Sequence, residues 1–309
     1  MDLDFTEEQQ MLGEMVRGMC AEYAPLEVVR AMEDDPTGYP EEFWKQLGEL
    51  DLLGLMIPEE YGGSGQTALE GAIVYAELGR SLAPSPHFVS SVMSAGVLAM
   101  AGSDEQKRTW LPKIASGDAI LTPAWLEPKG GYGPLGVQLR AVADGADYRL
   151  NGTKQHVLFA SAVSRLLVRV RTGDGDEDVA LLLVDPESTG IELTQQLSLA
   201  SDTQYKVRFD DVRVPATDRI GAEGSGWATW QEVMYDGIIL LAAQAMGGAE
   251  RSLEITVQYT KDREQFGKPL GAFQAVAHYL ADASTEVDGG MTLVWEAAWA
   301  RSEGKPVER

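Results

Sequence analysis

Arg263, Phe266 and Gln274 are the residues whose types and spacing could do chemistry together. They lie in the run Arg263-Glu264-Gln265-Phe266-Gly267-Lys268-Pro269-Leu270, followed by Phe273-Gln274. A guanidinium is planar and permanently charged, and it can hold a phosphate or pyrophosphate through two parallel hydrogen bonds. An aromatic ring beside it can pack against a heterocycle, and a carboxamide can bond to polar edges. Taken alone, the run also has a plainer reading, with Arg263 complementing a helix C-terminus and Phe266 filling a core. Either way a helix and its end must place these groups. The apolar spacing from about Trp227 to Asp262 predicts one long helix, which Gly267 and Pro269 stop and turn. A second helix is expected from about Ala272.

Composition narrows the chemistry. The chain has 309 residues, enough to bury a large core and to divide into two or three domains. Its formal net charge of −23 argues against nucleic acid or an anionic membrane as a partner, since both are bound through excess Lys and Arg. The single cysteine, Cys20, excludes an internal disulfide and a cysteine-based metal site, and no metal site is expected. Cys20 falls on the apolar face of the first helical pattern and reads as a buried structural thiol. No apolar run approaches the roughly 18 residues of a membrane span. Met1-Asp2-Leu3-Asp4 lacks the basic segment of a signal peptide, so a soluble, cytoplasmic protein without a membrane span is expected.

The first third of the chain reads as helical. Thr6 with Gln9 forms a capping-box pattern, and Met11, Leu12, Met15, Val16, Met19, Cys20 and Tyr23 make one apolar face that Pro25 ends. Further helices are expected near Glu41–Leu50, Ala68–Leu82 and His87–Ala101, and Ser103 with Gln106 opens another. Pro58 to Gly65 is a loop. From about Gly117 the pattern changes to short strands, expected at Ala119–Thr122, Val137–Ala143, Tyr148–Leu150, Arg165–Arg171, Val179–Val184, Ile191–Leu193 and Tyr205–Phe209. Asp144-Gly145 and Asn151-Gly152 read as turns between them. The fold class is α+β: an N-terminal helical domain over residues 1–116, a central antiparallel β domain over 117–222, and a C-terminal helical domain over 223–309 forming an incomplete bundle.

The order of segments resembles the acyl-CoA dehydrogenases. The resemblance rests on Ala-Ala-Gln-Ala-Met-Gly-Gly-Ala-Glu-Arg-Ser-Leu at 242–253, Gln258-Tyr259-Thr260-Lys261-Asp262-Arg263 and Phe266-Gly267-Lys268. In the N-terminal half it rests on Phe5-Thr6-Glu7-Glu8-Gln9, Leu53-Gly54-Leu55, Pro58-Glu59-Glu60-Tyr61-Gly62-Gly63-Ser64-Gly65 and Gly117-Asp118-Ala119. It implies a flavin enzyme using FAD to remove hydrogens from the α and β carbons of an acyl-CoA thioester. It also implies that Arg263, Phe266 and Gln274 reach the pyrophosphate of a partner chain's FAD. CoA is anionic, so in this acidic chain its site must be a local basic island.

Other family positions differ. Where the family shows Thr-Glu-Pro-Gly-x-Gly-Ser, this chain reads Leu126-Glu127-Pro128-Lys129-Gly130-Gly131-Tyr132, which keeps Glu127 but loses two hydroxyls. Where the family shows Lys-x-Trp-Ile-Thr-Asn, the chain has Lys154-Gln155-His156-Val157-Leu158-Phe159. His156 could stack or donate there, and Leu158 cannot replace a hydroxyl. The resemblance thus nominates Glu127 and His156 for the cofactor. The family's catalytic glutamate, a base that takes the α proton, aligns with Gly237, and its CoA-binding arginine aligns with Ile238. Asp236 is adjacent and is the candidate base, with Glu232 further away. A later family site for the glutamate follows Gly-Gly-x-Gly; Gly289-Gly290 falls too early to stand for it, and the chain reads as truncated relative to the family.

Two functions follow. One is a dehydrogenase subunit in a hetero-oligomer whose homologous partner subunit supplies the base and much of the FAD site, with acyl-CoA as substrate and an electron-transfer flavoprotein as acceptor. The other is a non-catalytic structural or regulatory subunit without bound flavin. An oxidase of the wider superfamily is a third reading for which no residue argues.

Overall fold

A computed structural model describes residues 5–307, so Met1–Asp4, read above for a leader, lie outside the described residues. The helices are α1 (Glu7–Tyr23), α2 (Leu26–Ala31), α3 (Glu41–Glu49), α4 (Ala68–Ser81), α5 (Ala95–Ala101), α6 (Asp104–Ser116), α7 (Gly226–Asp262) and α8 (Gln274–Ser302). The strands are β1 (Leu121–Ala124), β2 (Arg140–Asp144), β3 (Asp147–Leu158), β4 (Arg165–Arg171), β5 (Val179–Val184), β6 (Ile191–Gln196), β7 (Gln204–Val214), β8 (Arg219–Ile220), β9 (Glu264–Gln265) and β10 (Lys268–Pro269). The expected α+β class, with helices on either side of a mostly antiparallel sheet in sequence order, is what forms. No helix among the described residues is long and apolar enough to cross a membrane.

Local chemistry sets the helix starts. Thr6 and Ser103 each accept a hydrogen bond from the backbone N–H three residues on, and Gln9 and Gln106 reach back, completing both expected capping boxes. Thr67 and Glu70 make a third at the head of α4. The expected helix over His87–Ala101 is present, but its first part, Phe88–Ser94, is wound as a π-helix before continuing as α5. Ser94 Oγ donates to the carbonyl of Val89 at 2.7 Å, a side-chain bond that competes with the α-helical ladder at this point.

The large sheet runs β6-β7-β3-β2-β4-β5-β8, with β1 pairing β4. Two pairings depart from the antiparallel expectation: β1 lies parallel to β4, and β2 meets β4 in parallel at Arg140 and Arg171. Asn151-Gly152 is not a turn. It lies inside β3, opposite β7, where the register shifts between Leu150 and Gly152. Gly152 has φ 151°, and a Cβ there would come within 2.6 Å of Leu139 Cδ1. Asn151 Oδ1 accepts the backbone N–H of Asp211 at 2.8 Å, so this residue pair builds a β-bulge and lets one long strand continue. Asp144-Gly145 does form the expected turn between β2 and β3.

The chain forms two compact units. One contains α1, α4, α7 from Ile238 onward, and α8. Within it α4 and α7 approach closely through two glycines: a Cβ on Gly79 would sit 1.9 Å from the Gln244 carbonyl, and one on Gly247 would sit 1.9 Å from that of Ala76. Cys20 is fully buried and its thiol is pushed up to about 12 by burial, which makes it inert as a nucleophile.

The other unit, residues 27–66 and 84–237, contains the sheet and the helices around it. His87 is buried there and its Nε2 donates to the Leu52 carbonyl at 3.0 Å. Burial pulls its pKa down from 6.5 to about 4. A folded pKa below the unfolded one means the unfolded chain takes up the proton first on acidification. The contribution is therefore complete above pH 6.5 and is lost as pH falls toward 4, with a maximum of about 3 kcal/mol. Urea midpoints between pH 7 and 4.5 should fall less steeply for His87→Gln than for the parent chain, and parallel slopes would remove His87 from this acid sensitivity.

Candidate cofactor-binding elements

The corner after α7 is a hairpin of two short strands, β9 and β10, with the pairs Lys268–Gln265 and Pro269–Glu264. Its backbone is tied to α7: the N–H of Arg263 donates to Tyr259 at 2.8 Å, and the N–H of Leu270 donates to Arg263 at 2.8 Å. Phe266 takes the left-handed conformation, φ 54°, followed by Gly267 at φ 76°. That turn drives the Phe266 ring outward, leaving it 93% exposed. It stays oriented against Phe273 in an edge contact with centroids 6.2 Å apart, and Lys268 Nζ lies 4.2 Å over the Phe273 ring. Arg263 and Gln274 are exposed as well, Gln274 opening α8. The hairpin thus carries an ammonium and an exposed ring, with a guanidinium just before it and a carboxamide opening the helix that follows. A non-glycine residue at positive φ with a solvent-facing aromatic ring is costly unless something outside covers the ring.

Glu127 and His156 are placed differently. Glu127 is buried, and its carboxylate accepts the backbone N–H groups of Gln138 and Leu139 (2.9 Å for Leu139) and the ammonium of Lys154 at 2.6 Å. Lys154 is itself fully buried, and burial pulls its pKa down to about 8. His156 is exposed at φ 54°, and Nδ1 is 2.5 Å from Gln204 Oε1 while its N–H donates to Gln196 Oε1 at 3.1 Å. Leu126 and Leu158 are half-buried. The carbonyl of Leu126 is taken by the Gln155 N–H at 2.9 Å.

Asp236 is half-buried on α7. At Gly237 a Cβ would meet Met93 Sδ at 2.8 Å and Phe88 ring atoms at 3.4 Å, so the space a longer side chain needs is filled. Ile238 is 55% exposed. Gly237→Glu should therefore overpack this contact and cost about 1–3 kcal/mol without conferring dehydrogenation on the chain alone. Thermal melts and an acyl-CoA/dye assay check both parts.

Sequence reading missed one buried group, Arg169, which lies among Trp125, Trp227 and Trp230. Its signal was a charged residue in the middle of the otherwise apolar strand Leu166-Leu167-Val168-Arg169-Val170.

The N-terminal-domain model of acyl-CoA dehydrogenases matches residues 6–118, and the C-terminal-domain model matches residues 224–309. A probable acyl-CoA dehydrogenase, YngJ, of Bacillus subtilis is 33% identical over 99% of this chain and 82% of its own length. Among solved structures, the ChsE4-ChsE5 complex from Mycobacterium tuberculosis contains a chain 31% identical, with TM-score 0.88 over 98% of this chain and 80% of that one. A glutaryl-CoA dehydrogenase from Mycobacterium smegmatis in complex with FADH2 is 29% identical, with TM-score 0.88 over 98% of this chain and 78% of that one. With this agreement along nearly its whole length, the chain belongs to the acyl-CoA dehydrogenase family.

Proposed function

We propose that this chain is a subunit of an FAD-dependent acyl-CoA dehydrogenase, acting on an acyl-CoA thioester in an assembly whose homologous partner chain supplies the base and much of the flavin site. The observation that carries this is the hairpin that Arg263 leads into, tied to α7 by backbone hydrogen bonds and turned so that the Phe266 ring is 93% exposed. Its donor set fits a pyrophosphate beside a ring system: Arg263 offers a bidentate fork, Lys268 a second positive charge, Gln274 a carboxamide and Phe266 a face to pack on. These would hold FAD bound mainly by another chain. When bound, FAD supplies the acceptor for the hydride that leaves the substrate.

The chain's own sheet does not fit the flavin in the same way. Leu126 and Leu158 carry no polar side-chain atom, the Glu127 carboxylate is filled from within, and His156 Nδ1 is engaged by Gln204. The position for a glutamate base at Gly237 is packed by Met93 and Phe88. No step of dehydrogenation is therefore assigned to this chain's own residues, and its work is to orient and neutralise the partner's cofactor. The electrons would pass to an electron-transfer flavoprotein.

The same filled positions support a second reading, a non-catalytic subunit that keeps the fold without flavin. The visible absorption spectrum separates the two. Flavin absent from the chain alone but present after co-expression with a full-length homologue supports the half-site; a well-folded complex with no flavin leaves the non-catalytic subunit.

A further inference from the structure

The neighbourhood of Arg169 holds more positive charge than the structure answers. Its side chain is fully buried on β4, and among the described residues its hydrogen bond runs from Nη2 to the Trp125 carbonyl at 3.3 Å. Nε and Nη1 have no partner. The guanidinium carbon lies over the rings of Trp125, Trp227 and Trp230, at 5.6, 5.2 and 5.3 Å from their centroids. An indole face stabilises a cation but presents no lone pair, so the N–H groups of Nε and Nη1 stay without an acceptor among the described residues.

Charge counting sharpens the point. Glu127 is the carboxylate whose charge acts on Arg169, and it is already bonded to Lys154. Two buried cations face one carboxylate, leaving one positive charge uncompensated among the described groups. Burial pulls Arg169 down to about 10, and burial, with a smaller contribution from the nearby Arg169 charge, lowers Lys154.

We infer that this aromatic cage is a binding site for a small monocarboxylate with an apolar body, its carboxylate accepting from the free nitrogens of Arg169 and its body lying against the indoles. A single negative charge balances the single excess positive one. A phosphate dianion would overcompensate and demand more donors than the cage offers. The outer edge of the cage reaches the surface through Trp125 and Trp227, which are half-exposed, and Tyr132, 76% exposed, stands with its ring 6.0 Å from that of Trp125. The site uses neither the exposed hairpin nor the family's dehydrogenation chemistry, and it stands whether or not the proposed assembly binds flavin.

The test titrates the full chain with benzoate, acetate and inorganic phosphate at constant ionic strength, following tryptophan fluorescence and melting temperature. Saturable benzoate binding is expected, weaker for acetate, with a rise in melting temperature that tracks occupancy. Arg169→Met, close in volume, should weaken benzoate at least tenfold and abolish the thermal shift. If that variant does not fold, Arg169→Lys, which keeps the charge but loses the fork, should weaken benzoate as well. Three results overturn the assignment: no benzoate response in the parent chain, benzoate binding unchanged in either variant, or phosphate binding more tightly than benzoate.

Discussion

Arg263→Ala is expected to strip flavin from the assembled complex while leaving this chain folded and partner association intact. A charge-assisted contact to a phosphate contributes about 1.5–3 kcal/mol, which corresponds to roughly ten- to more than hundredfold weaker retention. Folding should be untouched because Arg263 is exposed and its backbone, not its side chain, makes the bonds that secure the hairpin. Phe266→Ala should add a smaller loss, since it removes a packing face and no charge. Flavin-to-protein ratio after extensive dialysis, measured on the co-purified complex, is the readout. Unchanged flavin content in Arg263→Ala would remove the contact to the partner's cofactor and with it the main support for the half-site.

The largest loss of stability is expected at Lys154. Its ammonium is 0% exposed and sits 2.6 Å from Glu127 Oε1. Lys154→Met leaves the Glu127 carboxylate buried with backbone N–H groups as its hydrogen-bond partners and Arg169 acting on it only through space, and breaking a buried pair in this way costs about 3–5 kcal/mol. Adding Glu127→Gln should not restore that loss, because it removes the carboxylate whose charge also acts on the buried Arg169. Urea unfolding of the two variants measures the difference. A double variant more stable than Lys154→Met would mean that the charge of Glu127 on Arg169 is not what matters there.

Elements built from local rules were legible in the sequence. The capping boxes at Thr6 and Ser103, the span of β4 and β5, and the long α7 each depend on residues near one another in the chain. The features that escaped depend on what the chain meets after folding. Asn151-Gly152 has turn chemistry, but its neighbours on β7 turn it into a bulge, with Asp211 supplying the N–H that Asn151 accepts. The π-helical winding at Phe88–Ser94 is accompanied by one serine side chain finding a carbonyl, which no periodicity reports. In the candidate site, the types of Arg263, Phe266 and Gln274 were visible, whereas the left-handed turn that faces Phe266 outward was not. Arg169 was visible as an oddity in an apolar strand; its three tryptophans come from two distant segments.

The close crossing of α4 and α7 through Gly79 and Gly247 bears on the order in which the chain is made. The unit that contains this crossing is assembled from residues up to 26, from Thr67–Ala83 and from Ile238 onward, with the whole sheet translated in between. As the chain leaves the ribosome, the face of α4 that α7 will cover is finished early and then has no mate. About 150 further residues must be synthesised, on the order of ten to thirty seconds at typical rates. During that interval the small residues Ala76 and Gly79, which in the finished fold lie against another backbone, are an open seam on a nascent helix. A slowed ribosome or a premature stop within the sheet should expose that seam to chaperones for longer.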